Sequence, residues 1–317
     1  MTAATIDTSI IDNYNTDHAD TPFLGRIAWY SVRDVPVPHD TIKNELDAAG
    51  LAEFTPRRPG DTHIFRRVTK AGEANIPQPD GTVAKIMVRD VASDKERILR
   101  RVVVETVDEN DARLDYAEVF DLEYRRKEKR FVTTRLTWAD TPADDAVAEM
   151  QRKFSHWIAV GMHGSESLRT VLKRALEENH GVLVRPTGGV YFMPRTNDDA
   201  LHKASAFASV LEQVSLHTLP LVDTPDQVQM VSEGVSSAST RAADEMMKDL
   251  AAMLKAGEAV SESKLARIVT QSKQIRDRLS SYKDLLGEEL SGAGDRLSVL
   301  DQQVQACLLK MRTEGSA

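Results

Sequence analysis

Val182-Leu183-Val184-Arg185-Pro186-Thr187-Gly188-Gly189-Val190-Tyr191-Phe192-Met193-Pro194 is the most specific local pattern in this chain. Two short β-prone runs flank Thr187-Gly188-Gly189, with Pro186 before the turn and Pro194 closing the second run. Glycine reaches positive φ without a side-chain clash, and proline cannot donate into a central ladder. The segment therefore reads as a β-hairpin. Gly188 and Gly189 lack the spacing of a phosphate-binding loop, and the run after them is extended rather than helical. The hairpin thus reports on fold. Arg185 and Tyr191, one on each arm, are expected to present a charge and a ring on a shared face.

Upstream of the hairpin the chain alternates in strand fashion. Residues 24–32, with Ile27, Trp29 and Tyr30, read as a strand, and residues 40–49 as a short helix closed by Gly50. Four strands are then expected within 82–138. In the first, Val83, Lys85, Met87 and Arg89 oppose Ala84, Ile86 and Val88; the third alternates Leu114, Tyr116, Glu118 and Phe120 against Asp115, Ala117, Val119 and Asp121. Short polar turns between such runs indicate an antiparallel meander.

From Thr141-Pro142 onward the character is helical, with a hydroxyl to cap and a proline for the first helical position. Helix is expected to about Asn179, interrupted near Gly161–Gly164, then again over 198–214, followed by a short strand at 216–222. Thr224-Pro225 repeats the helix-start pattern. Val228, Val231, Val235, Ala238 and Ala242 mark a seam, and Gly257 breaks it. Leu265 to Leu286 and Leu297 to Met311 continue the heptad-like spacing of a helical hairpin or coiled coil. The expected organisation is a polar disordered arm at 1–22, an α+β module at 23–222 and a helical hairpin or coiled-coil module at 223–317. The fold class is α+β.

Composition narrows the function classes. The 317 residues carry a formal charge of −8, so no global attraction to nucleic acid or anionic membranes is expected. The single cysteine, Cys307, forms no disulfide within this chain and no multi-cysteine metal site, which fits a reducing, cytoplasmic setting. Residues 1–20 carry acids but no Lys or Arg, unlike a secretory or transit signal. No run approaches the length of a membrane span.

Candidate chemistry is sparse. His156 and His163 lie too far apart on one helix to share a zinc ion. His163-Gly164-Ser165 lacks the strand–turn–helix context of a nucleophile elbow, and Ser165 reads as a helix N-cap. Asp108, Glu109, Asp111 and Asp115 read as a solvated turn, with Asp115, Asp121 and Glu123 on one wet strand face. Neither a catalytic residue, a metal nor a cofactor is assigned. The basic clusters carry more weight: Arg57-Arg58, Arg66-Arg67, Arg100-Arg101, and Arg125-Arg126-Lys127 with Lys129-Arg130, beside Phe65, Tyr124 and Phe131. Arginine forks grip phosphate and stack on bases, so a local patch can bind nucleic acid despite a negative total.

The chain also resembles a family of prokaryotic (haloarchaeal and actinobacterial) and phage proteins of uncharacterised activity. The resemblance rests on Trp29-Tyr30-Ser31-Val32, Ala49-Gly50-Leu51, Pro56-Arg57-Arg58-Pro59, Phe65-Arg66-Arg67, Met162-His163-Gly164, the hairpin residues 185–192, and Leu219-Pro220-Leu221-Val222-Asp223-Thr224-Pro225. It implies a microbial or mobile-element context and transfers no site residue. The resulting expectation is a non-enzymatic accessory protein, homo-oligomeric through its C-terminal helices. Its sheet module contacts nucleic acid or a protein partner, and no membrane partner is expected. The alternatives are an adaptor without a nucleic-acid role and, further off, a metal-dependent hydrolase or nuclease.

Overall fold

The computed structural model describes residues 23–185, 189–255, 262–286 and 291–314. The arm expected at 1–22, the turn residues 186–188 with Gly188, and the break at Gly257 lie outside the described residues. The elements run β1 (Phe23–Val32), α1 (His39–Ala48), α2 (Asp61–Lys70), β2 (Ala74–Pro77), β3 (Val83–Ser93), β4 (Arg97–Val107), β5 (Arg113–Arg125) and β6 (Arg130–Arg135). There follow α3 (Ala143–Val160), α4 (Ser165–Glu178), β7 (Val182–Leu183), β8 (Val190–Pro194), α5 (Asp198–Ser209), β9 (Val214–Val222), α6 (Pro225–Lys255), α7 (Glu262–Leu286) and α8 (Ser291–Glu314). The fold is α+β. It divides into two compact units: Asp34–Glu45 with Thr55–Ser167, and the remainder of the chain.

The first of these units holds the meander, an antiparallel sheet in the order β2-β3-β4-β5-β6. Alternation on β3 puts Ala84, Ile86 and Val88 into the core, while Lys85, Met87 and Arg89 point away. Against that inner face lie Ile64, Phe65 and Val68 of α2 and Val147, Met150, Phe154 and Trp157 of α3. No sustained periodic pattern in the sequence announces the helix at 61–70. A ten-residue helix is marginal alone and needs the sheet beneath it. Phe65 sits among Tyr124, Phe131 and Phe154, edge-on to the two phenylalanines.

A bulge corrects one expected pattern. Val102 pairs with Phe120 and Val103 with Glu118, so Val119 is the extra residue. Glu118 and Phe120 therefore point to opposite faces although they are two residues apart. Phe120, Leu122 and Tyr124 enter the core, whereas Leu114 and Tyr116 are exposed. Asp115 consequently does not share a face with Asp121 and Glu123.

The other unit is built on a four-stranded antiparallel sheet, β7-β8-β1-β9. The hairpin of the opening motif is present: Val182 faces Phe192 and Leu183 faces Tyr191. It joins the first strand of the chain, with Ile27 opposite Phe192 and Ala28 opposite Tyr191. One face of this sheet, with Ala28, Tyr191 and Met193, packs on Leu176 of α4 and on Leu201 and Ala204 of α5. The other face, with Phe192 and Val182, packs on Val231 and Val235 of α6 and on Tyr282 and Leu286 of α7.

Three C-terminal helices continue from this layer. Ala243, Met246 and Leu250 of α6, Leu265, Ile268 and Ile275 of α7, and Leu297, Leu300 and Val304 of α8 form one buried cluster. Among the described residues, the three helices thus pack their apolar seams on one another within the chain. Pro225 is the first residue of α6, and Val228 N donates to Thr224 O as the helix opens.

Candidate functional site

The meander decides where its charges collect. Successive turns of an antiparallel meander fall alternately at opposite ends, so the β3–β4 and β5–β6 turns share one end. Arg126 N donates to Glu96 O and joins them. The turn residues 93–97 and 125–130 carry seven Lys and Arg against three acids. The opposite end, 77–83 and 107–113, carries four acids against one arginine. Ser93 Oγ accepts from Arg66 (3.2 Å) and Arg126 (3.5 Å), which brings α2 into the basic cluster. Arg66 also pairs with Asp90, Arg125 with Glu123 and Glu128, and Lys127 with Glu96 at 3.6 Å. Lys129 and Arg130 are exposed, and Arg126 Nε is buried without a hydrogen-bond partner.

Arg57, Arg58 and Arg67 do not join that end. Arg57 is exposed; Arg58 donates to the carbonyls of Ile158 and Ala159 in the last turn of α3. That is the usual way a cation satisfies a helix C-terminus. The Arg67 guanidinium lies over the Trp157 ring at 5.1 Å and donates to Met162 O at 3.2 Å. Both arginines are spent on the Gly161–Gly164 loop, where a side chain on either glycine would collide with them.

That loop carries a centre that the sequence did not disclose. His163 is buried, with its Nε2 3.0 Å from Nδ1 of His39 and its Nδ1 2.9 Å from Ser167 Oγ. Backbone bonds between Val37 and His163 run both ways. Burial, then the nearby His39, Arg67, His63 and Arg58, push the imidazole down to about 4, so it is neutral at pH 7. Ser165 is the first residue of α4 rather than its N-cap, and its hydroxyl donates to Asp34 Oδ1. No local pattern signals His39, which lies 124 residues away.

The hairpin supplies a third cluster, in the other unit. Tyr191 is buried and stacks on Tyr30, and its hydroxyl donates weakly to Glu177 Oε1 at 3.4 Å. Arg185 is exposed, whereas Tyr191 is buried. Burial holds the Glu177 carboxyl above its usual value and the Tyr191 phenol above its own. Glu177 also lines a cavity of about 770 Å³ beside α4, α6 and α7, with His180, Arg241, Gln274, Asp277 and Arg278. Arg278 donates to Glu177 O at 3.0 Å and Tyr282 to His180 O at 2.9 Å, which ties α7 to the end of α4. The lining mixes both charge signs and does not single out one ligand.

In the acidic turn, Asp108 Oδ1 accepts from the amides of Asn110 and Ala112, and Asp111 pairs with Lys85. These are the bonds of a self-satisfied polar turn. No group of three or more potential metal ligands occurs among the described residues. No helix among them is long and apolar enough to cross a membrane.

Two antiparallel sheets, one clothed by α2 and α3 and the other leading into a helical bundle, define an α+β protein with a charge-polarised meander. The chain belongs to the family described as "Family of unknown function (DUF6744)", whose profile matches residues 23–314. No curated protein and no solved structure matches it.

Proposed function

We propose that this protein is a non-enzymatic accessory protein that contacts nucleic acid through the basic end of its five-stranded sheet. A single observation carries the reading: the meander gathers the 93–97 and 125–130 turns at one end and the acidic turns at the other. A chain of net charge −8 thereby gains a local cationic surface, and its opposite end turns the molecule in the field of a polyanion. Arg126, Lys127, Lys129 and Arg130, with Arg66 beside them, are the contacts. They carry no base-reading element, so the contact is to phosphate and indifferent to sequence.

In this reading the protein works in a microbial or phage-infected cytoplasm and assembles through the outer surface of its C-terminal helices, where Met230, Val269 and Val299 are exposed. The test is binding of labelled single-stranded and duplex DNA to the full chain and to a Lys127→Glu/Lys129→Glu/Arg130→Glu variant. Binding that weakens steeply with salt and is lost in the variant supports the proposal. Absence of binding at about 50 mM salt sinks it and leaves an adaptor without a nucleic-acid role.

A further inference from the structure

The opposite end of the same sheet has an unfinished edge. β6 pairs with β5 only from Phe120 to Arg125, and the last rung is Leu136 N to Val119 O. Beyond it, β5 residues Arg113–Glu118 have β4 on one side and no strand on the other among the described residues. A second bulge makes Leu114 the extra residue between Arg113, opposite Val107, and Asp115, opposite Thr106. The regular part of this open edge therefore runs from Asp115 to Glu118, where alternate amides and carbonyls face outward as a template for another strand. The far edge of the sheet is different: β2 is four residues long and ends in Pro77, a device that blunts an edge.

Side chains along the open edge are those of a recognition surface. Leu114 and Tyr116 are 59% and 45% exposed on the outer face, and Leu136 and the fully exposed Trp138 follow directly where β6 stops. Large exposed aromatics concentrated beside an open backbone mark an interaction surface rather than ordinary scatter. Charge selects the partner. Asp115 and Asp140 lie along or just beyond the edge, and Asp108 and Glu109 stand in the turn at its end, while Glu118 is already paired with Arg101 at 2.6 Å. An acidic strand is repelled here, while a strand with Lys or Arg at alternate positions meets Asp115 on one face and keeps its other face for Trp138 and for Tyr116, whose ring already carries the Arg113 guanidinium at 5.4 Å.

We propose that the Arg113–Glu118 edge of β5 is a strand-addition site for an extended, Lys- or Arg-rich segment of a partner protein. Backbone pairing provides affinity, and the acids and Trp138 provide selectivity. This surface is separate from the basic end and stands whether or not nucleic acid binds there.

The test uses the full chain and labelled peptides of about a dozen residues, long enough to cover the edge. One alternates Lys with Val, one alternates Glu with Val, and one alternates Lys with Pro. The Lys–Val peptide is expected to bind at least about tenfold more tightly than either comparator, because Glu is repelled and Pro cannot form the ladder. Amide exchange should slow at Arg113–Glu118. A Asp115→Lys/Trp138→Ala variant, altered only at exposed positions, should keep its circular dichroism and melting temperature and lose about tenfold in affinity. Equal binding of the Lys–Val and Lys–Pro peptides would reduce the effect to net charge and overturn the proposal. So would exchange protection elsewhere than β5, or unchanged affinity in the variant.

Discussion

His39 and His163 hold each other nitrogen to nitrogen: Nδ1 of the first lies 3.0 Å from Nε2 of the second. Only one proton fits between two such nitrogens, so at least one of the rings is neutral while the contact lasts. Ser167 occupies the other nitrogen of His163, and Arg58, Arg67 and His63 add positive charge nearby. Asp34 is the carboxylate near Arg67, and its Oδ1 is engaged by Ser165.

This pair makes the fold acid-sensitive. The His163 imidazole is lowered to about 4 from 6.5, so between those values the unfolded chain binds a proton that the folded chain refuses. The stabilisation is complete above pH 6.5 and is lost as pH falls toward 4. Thermal melting should show a falling midpoint through that window, and His163→Gln should flatten it. An equally steep fall in the variant would assign the sensitivity elsewhere.

Glu177 behaves with the opposite sign. Its carboxyl is raised by burial, so its contribution is greatest below the unfolded value and declines as pH rises through the folded one. Glu177→Gln removes the buried charge and keeps an acceptor for Tyr191. The melting midpoint should rise at pH 7 and change little at pH 4.

Gly25 lets β1 and β8 close. A Cβ there would lie 2.1 Å from Met193 O, a backbone atom that cannot turn aside. Gly25→Ala should cost about 3 kcal/mol in denaturant unfolding, at the upper end for overpacking. Gly189, at φ +61 with open space around it, should lose only about 1 kcal/mol on substitution by alanine. Equal costs at the two sites would refute the close approach.

Tyr282 is fully buried, and its hydroxyl donates to His180 O, with Phe192 O 3.4 Å away. Tyr282→Phe keeps the packing and leaves buried carbonyls unmet. A loss of about 1–2 kcal/mol is expected, measured by urea unfolding.

The nucleic-acid proposal makes a quantitative claim about salt. Neutralising Lys127, Lys129 and Arg130 to Gln should reduce the slope of log affinity against log salt by about two to three. Light scattering on the same samples tests assembly; a monomer across the concentration range removes the oligomeric half of the proposal.

Strands β3 to β6 of the meander, the helix starting at Pro225 and the hairpin at 182–194 were readable, because each rests on a period of two, a period near 3.6 or a glycine–proline signal. β2 is only four residues long, ends in Pro77 and reads as a loop. The helix at 61–70 was not, since ten residues with Ile64, Phe65 and Val68 inward gain stability only from the sheet they cover. The bulge at Val119 was invisible too; one extra residue changes faces without changing composition. Among the basic residues, the sequence could name Arg58 and Arg67 but not show that helix carbonyls and a tryptophan already occupy them.

The hairpin shows where the division lies. Local chemistry alone required Val182–Pro194 to double back, because Gly189 and the flanking β-prone runs permit little else. Its partner was decided by the tertiary structure: β1, more than 150 residues earlier in the chain, supplies the small Ala28 and Gly25 that let β8 lie alongside. Through that pairing Tyr191 became a buried phenol against Glu177 while Arg185 stayed in solvent. Likewise the sequence determined which turns were basic and which acidic, and only the antiparallel order of the meander placed them at opposite ends. Long-range pairing is selected by the burial of whole faces, a property of the assembled layers that no local window contains.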